Sequence, residues 1–310
     1  MKNLEYSEVI VPTLLCDSSG NLNPAAAGWS RFPVYVSNLR GHFLRKKKWN
    51  YWCIISSKYL YSITISDADY TGLVFVYYMD LETGEYGEDT IIIPFAKGIK
   101  MGERISDTAE YSGSKAKVKF VYNGSTIQLS TTWKNIQGKN LESEISIAVP
   151  DGHETLNVVV PWSKTRFQYT SKQHCLSATG YFKINEKEFL FAEDDNSFAC
   201  QDFGRGVWPY SISWNWGAFS ARVNGHTIGF NSGDKWTNGT SVTENSVCID
   251  GKLFKIQGPL TWHYNNKKFM EPWSISGNYN AIKVDLKFTP FFDRAANTNL
   301  LVLKSKVHQC

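Results

Sequence analysis

Short runs of β-branched and aromatic residues, separated by turn-forming residues, recur along the chain and constrain its fold more than any other feature. The runs Tyr59–Ser66 and Leu73–Met79 are typical. Asn123-Gly, Asn224-Gly and Asp250-Gly match hairpin turns, because asparagine and aspartate tolerate the positive φ that such turns need. No stretch of about twelve residues follows the 3.6-residue period of an amphipathic helix. The sequence therefore predicts an all-β protein.

The strand-like runs are too numerous for one small barrel. We therefore expect two consecutive antiparallel β-barrels or curved sandwiches. The boundary is expected between Pro161 and Lys172, where Pro161-Trp162 ends one half and the polar stretch Gln168–His174 opens the next. This interpretation gives an N-terminal domain at 1–165 and a C-terminal domain at 166–310.

The composition is that of an ordinary soluble globular protein, except for an aromatic content of 15% that suits strands. The net charge of +4 is mild and comes largely from Arg45–Lys48, so we expect no nucleic-acid partner. The sequence lacks a membrane span and a signal peptide, so we expect a cytoplasmic protein. Its six dispersed cysteines are then reduced thiols, and its histidines lack ligand spacing. We expect no metal and no other cofactor.

The stretch Gln201–Phe219 concentrates an acid, an arginine and three tryptophans between glycines. Because buried indole N–H groups need partners, this density is more typical of a walled site than of simple packing. We interpret Asp202 as a general acid whose pKa rises among the indoles, with Arg205 as a catalytic partner that opposes the rise. The alternative is a buried Asp–Arg pair that closes a Gly-rich loop. The aromatic side chains of this stretch are expected to bind the ligand, the last two on one face of a strand Ser211–Phe219: Trp208, Tyr210, Trp214 and Trp216.

Polar and turn-forming residues fill the stretch Gly229–Asn245, although strand-like runs flank it. A segment of this length in a compact domain favours a function. The alternative is a solvated hairpin loop held by side chain–backbone hydrogen bonds. The side chains that could line a polar wall of a ligand site are Asn231, Lys235, Trp236, Thr240, Glu244 and Asn245.

A third cluster spans Arg40–Trp52, where the four cations Arg45–Lys48 precede Trp49. These cations could bind an anionic headgroup or a phosphate. The alternative is an edge strand that its lysines protect from pairing with another chain. Asp67 and Asp69 would share one face of an extended strand and could divide acid–base work, or could simply end that strand. From this region we predict Trp49 and Asp69 as ligand-binding residues.

Several of these blocks together resemble the signature of the DUF2804 proteins, a family of unknown function. The resemblance runs from about residue 30 to the C-terminus. The blocks that carry it are Gly41–Trp52, Ile65–Tyr70, Asp202–Tyr210, Trp214–Gly217, Lys235–Thr237 and Thr243–Asn245.

More distantly, the two-barrel pattern is similar to the lipocalin-like group that contains carotenoid hydratases, hydroxyneurosporene synthases and tocopherol cyclases. In that group an acid in a cleft between two β-barrels can protonate an isoprenoid double bond. The resemblance implies that Asp202 is the protonating acid. It also implies further strands after Val307, so the chain is either truncated or closes its second barrel differently.

Three functions are compatible with the sequence. The first is a lipocalin-like enzyme, a hydratase, cyclase or isomerase, that holds an apolar or isoprenoid-like molecule in an aromatic cleft and uses a carboxylic general acid. The second is a non-catalytic protein that binds a hydrophobic small molecule. The third is a carbohydrate-active protein, because tryptophan and tyrosine also stack on sugar rings. The sequence indicates no particular oligomeric state.

Overall fold

The structure is a computed structural model that describes residues 6–300 and 303–309, with side chains described through Ala295. Strands dominate this part of the chain, and its helical content is two three-residue 3₁₀ turns at Pro24–Ala26 and Glu193–Asp195. The first twelve strands are β1 (Thr13–Leu14), β2 (Gly28–Ser30), β3 (Tyr35–Val36), β4 (Lys46–Ile55), β5 (Tyr59–Asp67), β6 (Thr71–Asp80), β7 (Tyr86–Pro94), β8 (Ile99–Met101), β9 (Ala109–Ser112), β10 (Ala116–Tyr122), β11 (Thr126–Ile136) and β12 (Lys139–Ala148). The remaining described strands are β13 (Leu156–Ser163), β14 (Arg166–Ile184), β15 (Lys187–Phe191), β16 (Phe198–Val207), β17 (Asn215–Val223), β18 (His226–Asp234), β19 (Asn245–Ile249), β20 (Lys252–Ile256), β21 (Thr261–His263), β22 (Trp273–Tyr279), β23 (Ile282–Phe288), β24 (Arg294–Leu300) and β25 (Leu303–Gln309).

The chain divides into two compact units, Met1–Lys255 and Ile256–Cys310. The first unit contains a large sheet in the order β7-β6-β5-β4-β16-β14-β12-β11-β10-β9-β8, which β2, β13 and β15 extend. A four-stranded sheet in the order β17-β18-β19-β20 follows. In the second unit, β21, β22 and β23 form one antiparallel sheet and β24 pairs with β25.

The large sheet curls so that its two ends share one hydrophobic core. The alternate β5 residues Tyr61, Ile63 and Ile65 are fully buried, as expected for a strand with one face toward a core. From that face the Tyr61 hydroxyl lies 3.0 Å from Thr131 Oγ1 and 2.9 Å from Ser143 Oγ, on β11 and β12. The Trp133 indole of β11 donates to Asp89 of β7 at 2.8 Å. The all-β prediction, with a curved antiparallel sheet, is confirmed.

Strand β14 continues through the region that was expected to separate two domains. Its first half pairs with β13 and β16, and its second half pairs with β12 and β15. A bulge between Gln173 and Leu176 separates the halves, and Cys175 there has a φ of 59°. The polar stretch Gln168–His174 is therefore a buried strand and not a linker. The domain boundary near residue 165 stays a prediction.

The hairpin predictions are confirmed, with one difference in turn type. Asn224-Gly225 and Asp250-Gly251 have positive φ at both positions, as a type I′ turn requires. At the first hairpin the Asn123 backbone N–H donates to the Thr126 carbonyl at 2.7 Å, so the two-residue loop between β10 and β11 is Gly124-Ser125, in which Gly124 takes the positive φ. The predicted strand Ser211–Phe219 begins only at Asn215, so Trp214 precedes it and does not share a strand face with Trp216.

Within the described residues no helix is long and apolar enough to cross a membrane. The cysteines at positions 16, 53, 175, 200 and 248 are free thiols, as predicted. Cys310 and the first five residues, on which the thiol and signal-peptide predictions also depend, lie outside the described part of the chain.

Candidate acid–base site

Neighbouring strands of the large sheet bring a lysine and an aspartate side by side. In the register of β14 and β16, Lys172 lies directly opposite Asp202, so both side chains leave the same face. Lys172 Nζ lies 2.9 Å from Asp202 Oδ2, and the Thr170 hydroxyl donates to Asp202 Oδ1 at 2.9 Å. The Lys172 side chain is buried, whereas that of Asp202 is 18% exposed. Asp202 is thus the charged group of this pair that reaches solvent.

A second carboxylate approaches the same lysine from the turns between β18 and β19. The Glu244 side chain is buried, and its Oε2 lies 3.4 Å from Lys172 Nζ. The Trp236 indole donates a hydrogen bond to the other oxygen, Oε1. No hydrogen bond reaches Oε2 from the described residues, so the ion-pair contact with Lys172 is not a well-aligned hydrogen bond. One ammonium group therefore lies between two carboxylates.

Neutral polar groups and an indole cover this charged cluster. The Asn231 side chain accepts from the Trp216 indole at 2.8 Å and donates to the backbone carbonyl of Glu244. His174 Nε2 lies 3.3 Å from the same Asn231 oxygen. The Lys172 ammonium lies 4.4 Å from the centre of the Trp216 ring, a cation–π contact. The four-stranded sheet thus closes the site over the face of β14 and β16.

Burial and neighbouring charges shift the pKa values of the titratable groups in the site in different directions. It raises the pKa of Glu244, and the nearby Lys172 opposes that shift without cancelling it. Burial also disfavours the charged form of Lys172, but Asp202 and Glu244 outweigh it and raise the pKa of the lysine. Burial, reinforced by Lys172, lowers the pKa of His174 to about 4. Burial lowers the pKa of Lys255, whose ammonium donates to Thr243 at 2.7 Å, to about 7. The site thus holds one acid prone to protonation beside one persistent cation.

Four of the tryptophans predicted as ligand-binding, Trp49, Trp208, Trp214 and Trp236, form a row of edge-to-face contacts together with Trp162, whereas Trp216 packs on Tyr51. Trp49 packs on Trp208 at 5.5 Å, Trp208 on Trp162 at 5.9 Å, and Trp162 on Trp236 at 5.9 Å, between ring centres. Trp214, which is 42% exposed, contacts Trp208 at 6.3 Å. The Trp208 indole donates to Gln168 and the Trp162 indole to the Trp236 carbonyl. We call these five tryptophans the aromatic row, and it ends at Glu244.

Asp202 and Arg205 do not form the predicted pair. They lie three positions apart on β16, not in a loop, so their side chains leave opposite faces. The Arg205 guanidinium is buried and donates to the carbonyl of Trp49 at 2.9 Å and to Asn50 Oδ1 at 2.9 Å. Burial lowers the pKa of Arg205 to about 9, which keeps it charged at neutral pH. Arg205 is therefore not part of the site that we propose below.

The glycines around Arg205 serve close packing and not a turn. A Cβ at Gly204 would lie 2.1 Å from the Trp49 indole, which crosses the strand there. A Cβ at Gly206 would lie 2.2 Å from the Gln168 side-chain oxygen that accepts from Trp208. The Asp-Phe-Gly-Arg-Gly motif therefore places an acid on one face of β16 and makes room for an indole beside it.

The stretch Gly229–Asn245 is not the solvated loop of the alternative interpretation. Its first part belongs to β18, and Asn231, Trp236 and Glu244 are buried. Asn245 is buried as well, and its side chain accepts from Ser232 and from the Gly233 backbone, both at 3.1 Å. Lys235 is exposed on the turn outside the cluster. Its predicted ligand contact stays a prediction.

The strand that carries the four-cation cluster is not an edge strand, because β4 pairs with β5 on one side and β16 on the other. Lys48 lies 3.2 Å from Asp67, and Lys46 lies 3.4 Å from Asp69. β5 ends at Asp67, and Asp69 has a φ of 75°, so the two aspartates do not share an extended face. Asp69 is therefore an ion-pair partner at a strand end, and Trp49 belongs to the aromatic row.

A small crevice lies inside the curled sheet, away from the acid cluster. Its volume is about 10 Å³, and its lining includes Asn50, Trp52, Phe120 and Gln201. This space suits about one water molecule, whereas ligand pockets span about 300 Å³ or more. In the described residues no group of three histidine, cysteine, aspartate or glutamate side chains is arranged to hold a metal ion.

Sequence reasoning missed the lysine at the centre of the site. The segment Gln168–His174 is mostly polar, and serine is the only turn-forming residue that it contains. The signal that could have identified a buried strand is its position between aromatic residues and the apolar run Leu156–Val160, which it pairs with. Lys172 and His174 become site residues only when β16 and β18 are packed around them.

A sequence profile described as "Domain of unknown function (DUF2804)" matches residues 6–310. The chain belongs to this family. No curated protein sequence matches this DUF2804 protein.

Two solved structures are similar to this chain over most of its length. The crystal structure of CghA is similar over 83% of this chain and 80% of that one, with a TM-score of 0.54 at 7% identity. The crystal structure of kievitone hydratase from Nectria haematococca covers 73% of this chain and 72% of that one, with a TM-score of 0.45 at 12% identity. The likeness to CghA shows a shared fold and nothing about chemistry. The weaker second likeness carries no further argument.

Proposed function

We propose that this DUF2804 protein is an enzyme that protonates an apolar, isoprenoid-like small molecule in a hydration, cyclisation or isomerisation. The observation that carries the proposal is the state of Glu244. Its carboxyl group is buried, its pKa is raised, and its Oε2 accepts no well-aligned hydrogen bond in the described residues although it lies 3.4 Å from Lys172 Nζ. A buried carboxylic acid of this kind is the usual form of a general acid that works near neutral pH.

The neighbouring groups support such a step. In the proposed reaction Glu244 gives its proton to a carbon of the substrate double bond, and Lys172 stabilises the carboxylate that results. In a hydration, water then adds to the cation and its proton passes to Asp202, which is paired with the same lysine. The aromatic row provides an apolar wall that ends at Glu244. The turns at 235–243 enclose Glu244, so we propose that they open to admit the substrate.

Solvent deuterium incorporation tests the proposal without knowledge of the exact substrate. A panel of isoprenoid alkenes and enones is incubated with the protein in D₂O, and carbon-bound deuterium is measured by mass spectrometry. We expect incorporation with the wild type, and a loss of about 10²-fold or more in Glu244→Gln and Asp202→Asn. Asp67→Asn is the matched control, because Asp67 is a carboxylate that pairs with a lysine outside the site.

Two outcomes contradict the proposal. If the protein binds a member of the panel and incorporates no deuterium, it is a binding protein and not this enzyme. If Glu244→Gln incorporates deuterium as fast as the wild type while folded, Glu244 is not the acid.

A further inference from the structure

Several strand ends of the large sheet meet at one edge of the first unit. In the antiparallel register, Lys46 at the start of β4 lies opposite Val207 at the end of β16. The turn between β5 and β6 and the end of β7 lie at the same edge, because Thr71 is opposite Pro94. We call this edge the loop end and define it by residues 40–48, 67–71, 94–100 and 207–211.

Several large aromatic side chains at the loop end are exposed to solvent. Phe43 is 81% exposed, Phe95 is 73% exposed and Tyr210 is 94% exposed. Leu44 and Phe95 have φ values of 60° and 52°, in the left-handed region that bulky residues rarely adopt. Apolar residues scattered singly are ordinary, but a group at one edge marks an interaction surface.

Specific contacts join these side chains into one surface. The Arg45 guanidinium lies 3.6 Å from the centre of the Tyr210 ring, and the Arg45 backbone closes the turn that carries Phe43. The Lys47 ammonium lies 4.4 Å from the centre of the Tyr70 ring. The Tyr70 carbonyl in turn accepts from the backbone N–H of Phe95 at 3.1 Å. The Tyr210 and Tyr70 rings therefore lie against cations, and the turns that carry Phe43 and Phe95 are tied to the same segments by backbone hydrogen bonds.

The charge of the loop end is strongly positive. Its segments contain seven lysine and arginine residues against two aspartates, and one of the seven, Lys100, is paired at 2.8 Å with Glu110 outside these segments. Both aspartates, Asp67 and Asp69, are already paired with lysines of β4. Arg40 and Lys97 are exposed to solvent. The positive charge of the protein is thus concentrated beside its exposed aromatic side chains.

We propose that the loop end docks this protein on the surface of a membrane that contains anionic lipids. Exposed aromatic rings insert at the boundary between headgroups and acyl chains, and neighbouring cations are attracted to anionic headgroups. An anionic lipid surface fits both features at once, whereas nucleic acid would use the cations and leave Phe43 and Phe95 in water. The inference concerns attachment alone and does not depend on the proton-transfer function proposed above.

Vesicle co-sedimentation tests this docking. The full chain is mixed with phosphatidylcholine vesicles, with or without phosphatidylserine at about one lipid in three. We expect binding only to the vesicles with phosphatidylserine, and weaker binding as salt is raised, because salt screens surface charge. The double variant Phe43→Ser/Phe95→Ser should bind about tenfold more weakly or worse. Leu190→Ser is the matched control, since Leu190 is 57% exposed on β15, outside the loop end.

Four results overturn the proposal. The first is no binding of the wild type to either vesicle at low salt. The second is equal binding by the wild type and the double variant, with circular dichroism confirming that both are folded. The third is self-association of the wild type without lipid that the double variant abolishes, which would assign the surface to a second copy of the chain. Binding of a short DNA duplex that competes with the vesicles and survives both serine substitutions would assign it to nucleic acid.

Discussion

Lys172 is the residue on which the buried charges of the site depend. It lies between Asp202 and Glu244 and carries the ammonium that both carboxylates contact. Breaking a buried ion pair costs more than forming it gains, because the remaining charge is left in a medium of low polarity. Substituting Lys172 should therefore lower the free energy of unfolding more than substituting Glu244.

Lys172→Met should lower the free energy of unfolding by about 3–5 kcal/mol, because it leaves the Asp202 carboxylate without its cation and the buried Glu244 carboxyl group without the ammonium beside it. Glu244→Gln should cost less than about 2 kcal/mol, since the amide oxygen can still accept from Trp236 and Lys172 keeps Asp202. Lys48→Met, which removes a partly exposed ion pair with Asp67, is the control and should cost less than about 1 kcal/mol. Urea denaturation measures all three. Equal losses for Lys172→Met and Lys48→Met would show that the buried cluster is not coupled as described.

His174 should make the fold sensitive to mild acid. Its pKa is lowered to about 4 in the folded chain, against about 6.5 in the unfolded chain. The unfolded state therefore binds the proton first, so the contribution of His174 is complete above about pH 6.5 and is lost as the pH falls toward 4. The loss should reach about 3 kcal/mol.

The measurement is urea denaturation of the wild type and His174→Gln across this pH range. The variant should lose stability less steeply between about pH 6.5 and pH 4. Parallel pH profiles of the two proteins would contradict the assignment.

Among the elements, strand β16 contributes most to the candidate site, because it carries Asp202 and the glycines Gly204 and Gly206. The sequence of this strand predicts a site, but its glycines favour a loop over a strand, because glycine is common in turns. Its glycines instead let Trp49 and Gln168 lie against the strand. Sequence alone could not separate these uses of glycine, because the indole that fills the space comes from β4, far away in the chain.

Gly204→Ala tests this close approach. The new methyl group would meet the Trp49 indole, so we expect a loss of about 1–3 kcal/mol in unfolding free energy. In a Trp49→Leu background the same substitution should cost clearly less, because the ring that it meets is gone. A double-mutant cycle by urea denaturation measures the difference. Full additivity of the two substitutions would mean that the ring does not restrict position 204.

At the scale of the whole molecule, the fold class was predictable and the site was only partly so. Period-two alternation and Asn-Gly or Asp-Gly turns are local, so hairpins such as β17–β18 follow from the sequence. The pairings of β16 with β14 and with β4 join residues far apart in the chain, and no local pattern encodes them. For that reason Asp202 could be chosen as a candidate, while its partner Lys172 could not.

The same long-range packing decides which acid is enclosed by indoles. The local sequence around Asp202 is rich in tryptophan, so Asp202 was expected to be the desolvated acid. In the folded chain Asp202 is partly exposed beside Lys172, and Glu244 takes the buried place next to Trp236. The candidate acid thus changes from a residue of β16 to one contributed by the turns before β19.

The protonation state of Glu244 tests this account most directly, and it can be measured without a substrate. Infrared difference spectra between the wild type and Glu244→Gln isolate the carboxyl group at this position as the pH is raised. We predict the carbonyl stretch of a protonated carboxylic acid that persists above the ordinary glutamate pKa of about 4.3. If that band disappears in the ordinary glutamate range, Glu244 is an ionised partner of Lys172 and the proposed acid is wrong.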